Sequence, residues 1–141
     1  QNGETIEYKS DIDDFLAKTM IFLNEKASKE LLEDCKNTFY RAMDNCYNVL
    51  GRDAFRFDSE SGNRRPINMP LFEVLMYVFS DNKLMEDVDY TKKEVENFKR
   101  KFDHQQMFSG NVDSTTNLND RYDLAEELIK QISDAIKTNN K

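Results

Sequence analysis

The sequence predicts an all-α protein, a compact bundle of about five helices around a central apolar helix at about residues 70–80. Apolar residues recur in steps of three and four over long segments, which is the period of an amphipathic helix. Only four Gly and two Pro occur in 141 residues, which disfavours a turn-rich sandwich or barrel. Ten Phe and six Tyr supply material for a core that a disordered chain would lack. The length suits one helical domain over residues 1–141, and the start at Gln1 suggests a fragment of a longer protein.

The first two helices are predicted from their caps and apolar stripes. Helix one runs from about Asp11, a suitable N-cap, to about Asn24. Helix two starts after Ser28 and ends before Gly51, a residue type that suits the left-handed position after a helix. The apolar stripe of helix two keeps its period for almost six turns: Leu31, Leu32, Cys35, Phe39, Ala42, Met43, Cys46, Val49 and Leu50.

The third helix is predicted to be the hub of the bundle. It starts near Asn68, which can cap it, and Pro70 fits the first turn because no N–H is needed there. Its apolar residues cover more than one face, which is typical of a central helix: Leu71, Phe72, Leu75, Met76, Val78 and Phe79.

Two further helices follow. The run Thr91-Lys92-Lys93-Glu94 has the spacing of a capping box and predicts the start of helix four, which has a narrow apolar stripe and many lysines. Helix five starts near Asn119 or Asp120 and fades at the C-terminus. Residues 1–10 and 138–141 are expected to be flexible ends.

Charge and cysteine content limit the possible partners. The net charge is −7, a poor match for phosphate backbones. Cys35 and Cys46 lie about three helical turns apart, too far for a disulfide, and are expected to be two buried thiols in a reducing, cytoplasmic compartment. The longest nearly apolar run, Leu71 to Phe79, is too short for a bilayer, so no membrane contact is expected.

The sequence predicts no catalytic residue, no metal site and no cofactor. The single histidine, His104, has no neighbours at the spacing of a triad or a metal site, and we expect it to face solvent. The glycines are too scattered to form a phosphate-binding loop.

Arginines and phenylalanines cluster in the long loop of about seventeen residues between helices two and three. The members are Arg52, Arg56, Arg64 and Arg65, with Phe55 and Phe57 interleaved. Such a cluster can pin the loop through carboxylates, contact a protein partner, or grip nucleic acid. We expect Arg56 or Arg65 to pair with Glu73 on helix three, and Arg121 to help fix the last helix.

Two segments carry a resemblance to a known family. Gly51–Arg56 and Arg64–Glu73 contain Ala-Phe-Arg, Arg-Pro-Ile-Asn and Leu-Phe-Glu in that order, and Arg121-Tyr122 follows later. This pattern resembles the helical C-terminal region of GmrSD-type restriction proteins. The resemblance implies a scaffold role for Phe55, Arg56, Arg65, Pro66, Asn68, Leu71, Phe72, Glu73 and Arg121.

GmrSD-type proteins are bacterial, nucleotide-dependent DNA restriction systems of phage defence. Their catalytic signature, an Asp-Gly-Gln-Gln-Arg-like motif, belongs to a ParB/sulfiredoxin-like N-terminal domain, and nothing like it occurs in this sequence. The resemblance therefore implies a non-catalytic helical module, not an enzyme by itself. Its partner would be the N-terminal domain of the parent chain or a partner subunit, and it would reach DNA only through the parent protein.

Two other functions stay open. The chain could be a stand-alone protein-interaction domain. Less favoured is a nucleic-acid contact module that uses the loop arginines and the lysine-rich fourth helix.

Overall fold

A computed structural model describes residues 6–139, and this part of the chain is helical without any strand. The α-helices are α1 (Ile12–Glu25), α2 (Lys29–Leu50), α3 (Met69–Val78), α4 (Val88–Phe102), α5 (Gln106–Ser109) and α6 (Thr115–Asn139). Short 3₁₀ turns occupy Gly51–Asp53 and Asn82–Glu86. The all-α prediction is confirmed.

The caps of the first three helices form as the sequence predicts. The Asp11 carboxylate accepts a hydrogen bond from the Asp14 backbone N–H at 3.0 Å. The Ser28 hydroxyl accepts from the Leu31 N–H at 3.1 Å, and Asn68 accepts from the Leu71 N–H at 2.9 Å. Each cap satisfies an N–H that has no partner within its helix.

The predicted starts of the last two long helices are wrong. α4 begins at Val88, where Asp87 caps the Tyr90 N–H, and Thr91 lies inside the helix. Thr91 is buried and donates from its hydroxyl to the Leu84 carbonyl at 2.6 Å, so it is not available as a cap. α6 begins at Thr115 instead of 119 or 120, because the Ser114 hydroxyl accepts from the Asn117 N–H. The four-residue α5 is too short for a periodic pattern to predict it.

α3 is the hub of the bundle, as predicted, and packs against α2, α5 and α6. Leu71, Val74, Leu75 and Val78 of α3 are fully buried. The surrounding core is built mainly from one face of α4, one face of α6 and the second half of α2: Ala42, Cys46, Val49, Val95, Phe98, Ala125, Leu128, Ile132 and Ile136. Phe72, expected in the core, is only half-buried.

α1 and the first half of α2 lie outside this core. α1 has no buried residue, and the buried residues of α2 start at Ala42. The apolar side chains predicted to form the first part of the α2 stripe are exposed: Leu31, Leu32, Cys35 and Phe39. These positions have helical period, but no element of the described chain covers them.

The two thiols therefore differ. The prediction of a buried thiol is confirmed for Cys46, which is 1% exposed and whose pKa burial raises to about 12. It is wrong for Cys35, which is exposed.

The N-terminal segment contacts the start of α6. The Tyr8 hydroxyl donates to the Asp113 carbonyl, and the Ser10 and Thr115 hydroxyls are 2.6 Å apart. α6 extends to Asn139, so residues 138 and 139 of the expected flexible end are helical. Residues 1–5 and 140–141, which also belong to the expected flexible ends, lie outside the described part of the chain. No helix within 6–139 combines the length and apolar character needed to cross a bilayer.

Candidate functional site

Three of the four clustered arginines, Arg56, Arg64 and Arg65, are bonded to the protein itself, whereas Arg52 is exposed. The Arg56 guanidinium donates to the Arg65 carbonyl, and its Nε lies 3.7 Å from Asp53 Oδ1. Arg64 Nε donates to the same Asp53 oxygen at 2.5 Å. The hydrogen bond from Arg64 is the main reason that the pKa of Asp53 lies below its ordinary value. These contacts fold the loop onto the 3₁₀ turn that follows α2.

Arg65 fastens the other end of the loop to α4. Its Nη1 lies 2.5 Å from Asp103 Oδ2 and 3.1 Å from the Asp58 carbonyl, and its guanidinium carbon lies 5.4 Å from the Phe57 ring centroid. The hydrogen bond to Asp103 raises the pKa of Arg65. These contacts pin the loop to the rest of the protein, which is one of the three roles expected for the arginine cluster.

The predicted pairing of Arg56 or Arg65 with Glu73 is wrong, since the partner of Glu73 is Arg121. Arg121 Nη2 lies 3.0 Å from Glu73 Oε2, and the Arg121 side chain is 2% exposed. Its Nη1 donates to the Met107 carbonyl at 2.8 Å and to the Val112 carbonyl at 2.7 Å. Arg121 therefore joins α3, α5 and the α5–α6 loop to α6, which agrees with its expected role in fixing the last helix.

Sequence reasoning missed Lys99 as a buried group. Its side chain lies beneath the arginine-rich loop, and its Nζ donates to the Asp53 carbonyl at 3.2 Å. Burial lowers the pKa of Lys99. A signal was present, because Lys99 lies four residues after Val95 and next to Phe98, within the apolar stripe of α4.

The remaining scaffold candidates also make internal contacts. The Phe55 and Phe72 rings meet edge to face at 4.9 Å, and the Asn68 amide donates to the Phe108 carbonyl at 2.7 Å. Leu71 is fully buried, whereas Pro66 is exposed. Apart from the exposed Pro66 and Ile67, the motif side chains of these segments make contacts within the protein that hold the loop against α3, α5 and α4.

A groove of about 550 Å³ opens between α2, α3 and the start of α6, and we call it the α2–α3 groove. Its lining is mostly apolar: Cys35, Thr38, Phe39, Ala42, Met76, Tyr77, Ser80 and Tyr122, with the carboxylates of Asp34 and Glu73. The Tyr77 and Tyr122 rings meet edge to face at 5.2 Å, and the Tyr77 hydroxyl donates to the Glu126 carboxylate. That hydrogen bond raises the pKa of Tyr77.

Residues that could perform metal chemistry do not come together. Within the described chain no three side chains of His, Cys, Asp or Glu are placed to hold a metal ion. His104 is 82% exposed at its side chain and lies just beyond α4 with φ of 65°. Its predicted solvent position is confirmed.

Comparison of the chain with protein-family models found no match. Comparisons with curated proteins and with solved structures also found none. The function is therefore inferred from the residues and their contacts.

Proposed function

We propose that this chain is a non-catalytic helical docking module of a bacterial, cytoplasmic, GmrSD-like DNA restriction protein of phage defence. In this role it packs against a nucleotide-dependent N-terminal domain of the parent protein. The reactive residues belong to that domain, and this chain supplies structure and a contact surface.

The observation that carries the docking role is the uncovered apolar surface of α1 and α2. Eight of the twelve exposed large apolar side chains in the described residues lie on these two helices: Leu16, Met20, Ile21, Leu31, Leu32, Phe39, Tyr40 and Tyr47. Met20 is 62% exposed although it lies in the middle of α1. A concentration of exposed large apolar side chains on two helices of a folded protein is typical of a contact site.

The restriction assignment is supported by the segments that resemble that family. Their side chains hold the loop and the hub together, which is a scaffold role. Since Arg56, Arg64 and Arg65 already bond to Asp53, Asp103 and backbone carbonyls, they favour this role over contact with DNA phosphates.

The test begins with the reading frame upstream of Gln1. The proposal predicts that it encodes a domain of strands and helices with an Asp-Gly-Gln-Gln-Arg-like motif. That domain, produced separately, should bind this chain in a calorimetric titration. Combined Leu16→Asp and Met20→Asp substitutions should weaken binding at least about tenfold, because they place charge on the apolar surface of α1.

The matched control is Val88→Asp. Val88 is also an exposed apolar residue, but it starts α4, where an acidic side chain is tolerated next to the helix N-terminus. This variant should bind like the wild type. An upstream frame without such a domain would remove the restriction assignment.

The same apolar surface also supports the second candidate, a stand-alone protein-interaction domain. A gene that encodes this domain alone, together with a partner captured through α1, would favour it.

A further inference from the structure

The α2–α3 groove has the size and shape of a site for a helix. The α2 residues that line it run from Asp34 to Ala42, the α3 residues run from Glu73 to Tyr77, and Ser80 follows the end of α3. At 1.5 Å per residue, the α2 wall is about 12 Å long, or about two helical turns, and the α3 wall is about 6 Å long, or about one turn. Two antiparallel or parallel helix walls with an apolar floor are a recurrent way to hold a third amphipathic helix.

The α2 wall continues past the groove towards the N-terminus. Leu31, Cys35, Thr38 and Ala42 follow one another in steps of four, three and four and therefore share a face of α2. Leu31 and Cys35 are exposed, Thr38 is half-buried and Ala42 is buried. An occupant could therefore extend by one turn beyond the groove along the same apolar face.

The charges around the groove point to the chemistry of its occupant. Asp34 and Glu73 line it, and Glu126 is bonded to Tyr77 at its edge. Arg41, also at the edge, donates to the Thr38 hydroxyl and the Ser80 carbonyl, so the carboxylates around the groove outnumber the outward-facing cations. Arg121 pairs with one oxygen of Glu73 from the protein interior. An occupant with basic residues at its flanks would match these carboxylates.

The same charges disfavour a second copy of this chain as the occupant. The uncovered helix α1 carries the acidic Asp13, Asp14 and Glu25 against one cation, Lys18, which pairs with Asp14, and the whole chain has a net charge of −7. Insertion of α1 from a second copy would bring carboxylates towards Asp34 and Glu73.

We propose that the α2–α3 groove binds an amphipathic helix of a partner protein, with apolar anchors at i, i+3 or i+4 and i+7 and with Lys or Arg beside them. This inference rests on the docking role proposed above and names the chemistry of one partner segment. Phe39, Met76 and Tyr77 form the apolar contact surface, and Asp34 and Glu73 set the charge preference.

The experiment is a display selection with a library of 15-residue sequences of helical apolar period and random flanks. Binders are selected on the full chain and counter-selected on Phe39→Asp, an exposed position whose change leaves the core intact. Enriched sequences should carry Lys or Arg, and the corresponding synthetic peptides should bind Phe39→Asp at least about tenfold more weakly. Val88→Asp is the matched control, since Val88 is an exposed apolar residue at the start of α4 outside the groove, and it should bind the peptides like the wild type.

Two further readouts locate the peptide and test its charge. Bound peptide should slow alkylation of Cys35, which is exposed and lines the groove. Asp34→Lys should reverse the preference, so that Glu-flanked versions of the peptides bind better than Lys-flanked ones.

Three results of the selection overturn the inference: no enrichment, enriched sequences with acidic flanks, or peptides that bind Phe39→Asp as well as the wild type. Dimerisation that buries Cys35 also overturns it in favour of a second copy. If the selection fails while the upstream domain still binds through Leu16 and Met20, the proposed function stands and only this inference falls. If the upstream domain fails to bind while groove peptides are selected, the restriction assignment falls instead.

Discussion

Replacement of Arg121 by methionine removes the charged group that joins α3, α5 and α6. The methionine keeps most of the apolar stem and loses the guanidinium. Three hydrogen bonds are lost, at 2.7 and 2.8 Å to the Val112 and Met107 carbonyls and at 3.0 Å to Glu73.

The expected cost follows from burial. Hydrogen bonds from charged groups contribute about 1.5–3 kcal/mol each, but bonds that share one side chain do not add fully. Removal of one partner of a buried ion pair costs about 3–5 kcal/mol, because the groups left behind lose their compensation. We expect Arg121→Met to lower the free energy of unfolding by about 3–5 kcal/mol, which corresponds to roughly 10–20 °C in Tm for a chain of this size.

The assay is urea unfolding followed by circular dichroism at 222 nm, with Glu73→Gln and the double variant to complete a cycle. The cycle should give a coupling of at least about 1 kcal/mol between Arg121 and Glu73. Arg52→Met is the matched control, since Arg52 is exposed, and it should change stability by no more than about 0.5 kcal/mol. An Arg121→Met protein as stable as this control would refute the role assigned to Arg121.

Three other predictions concern single side chains. In the native protein Ellman's reagent should titrate Cys35 quickly and Cys46 only after unfolding, since Cys46 is buried with a pKa of about 12; two fast thiols would contradict this. Burial lowers the pKa of Lys99 below its ordinary 10.5. Between the lowered pKa and pH 10.5 the unfolded state binds more protons than the native state, so the free energy of unfolding should rise with pH up to about 10.5. In urea titrations Lys99→Met should be at least as stable as the wild type at pH 7, and the difference in free energy of unfolding should shrink towards pH 10.5. A difference that stays constant with pH would contradict the lowered pKa of Lys99. The backbone of His104 has φ of 65°, which glycine adopts without the strain that other residues have. His104→Gly should therefore raise the free energy of unfolding by about 0.5–1 kcal/mol, whereas His104→Ala should not, and thermal unfolding of the two variants measures the difference.

The sequence pattern identified the helices well where the signals are local. Ser28 and Asn68 each cap an N–H three residues away, and such a bond depends on little beyond the adjacent chain. Thr91 shows the limit of this reasoning. It has the spacing of a capping box, but its hydroxyl is bonded to Leu84 and buried under the packing of α4 against its neighbours.

Burial could not be predicted from period alone. Leu31 and Phe39 continue the same stripe as Cys46 and Val49, yet only the second pair enters the core. The periodic pattern defines an apolar face of the helix. Whether another segment of the protein covers this face depends on the path of the rest of the chain.

The sequence by itself determined the all-α class, the hub at α3 and the first three caps, because these depend on residue type and on spacings of a few positions. Only the tertiary structure decided that Glu73 pairs with Arg121, 48 residues away, that α1 and the first half of α2 lie outside the core, and that a groove opens between α2 and α3. The physical reason is that such contacts depend on how loops route the helices and at what angles the helices cross, and no local pattern encodes those.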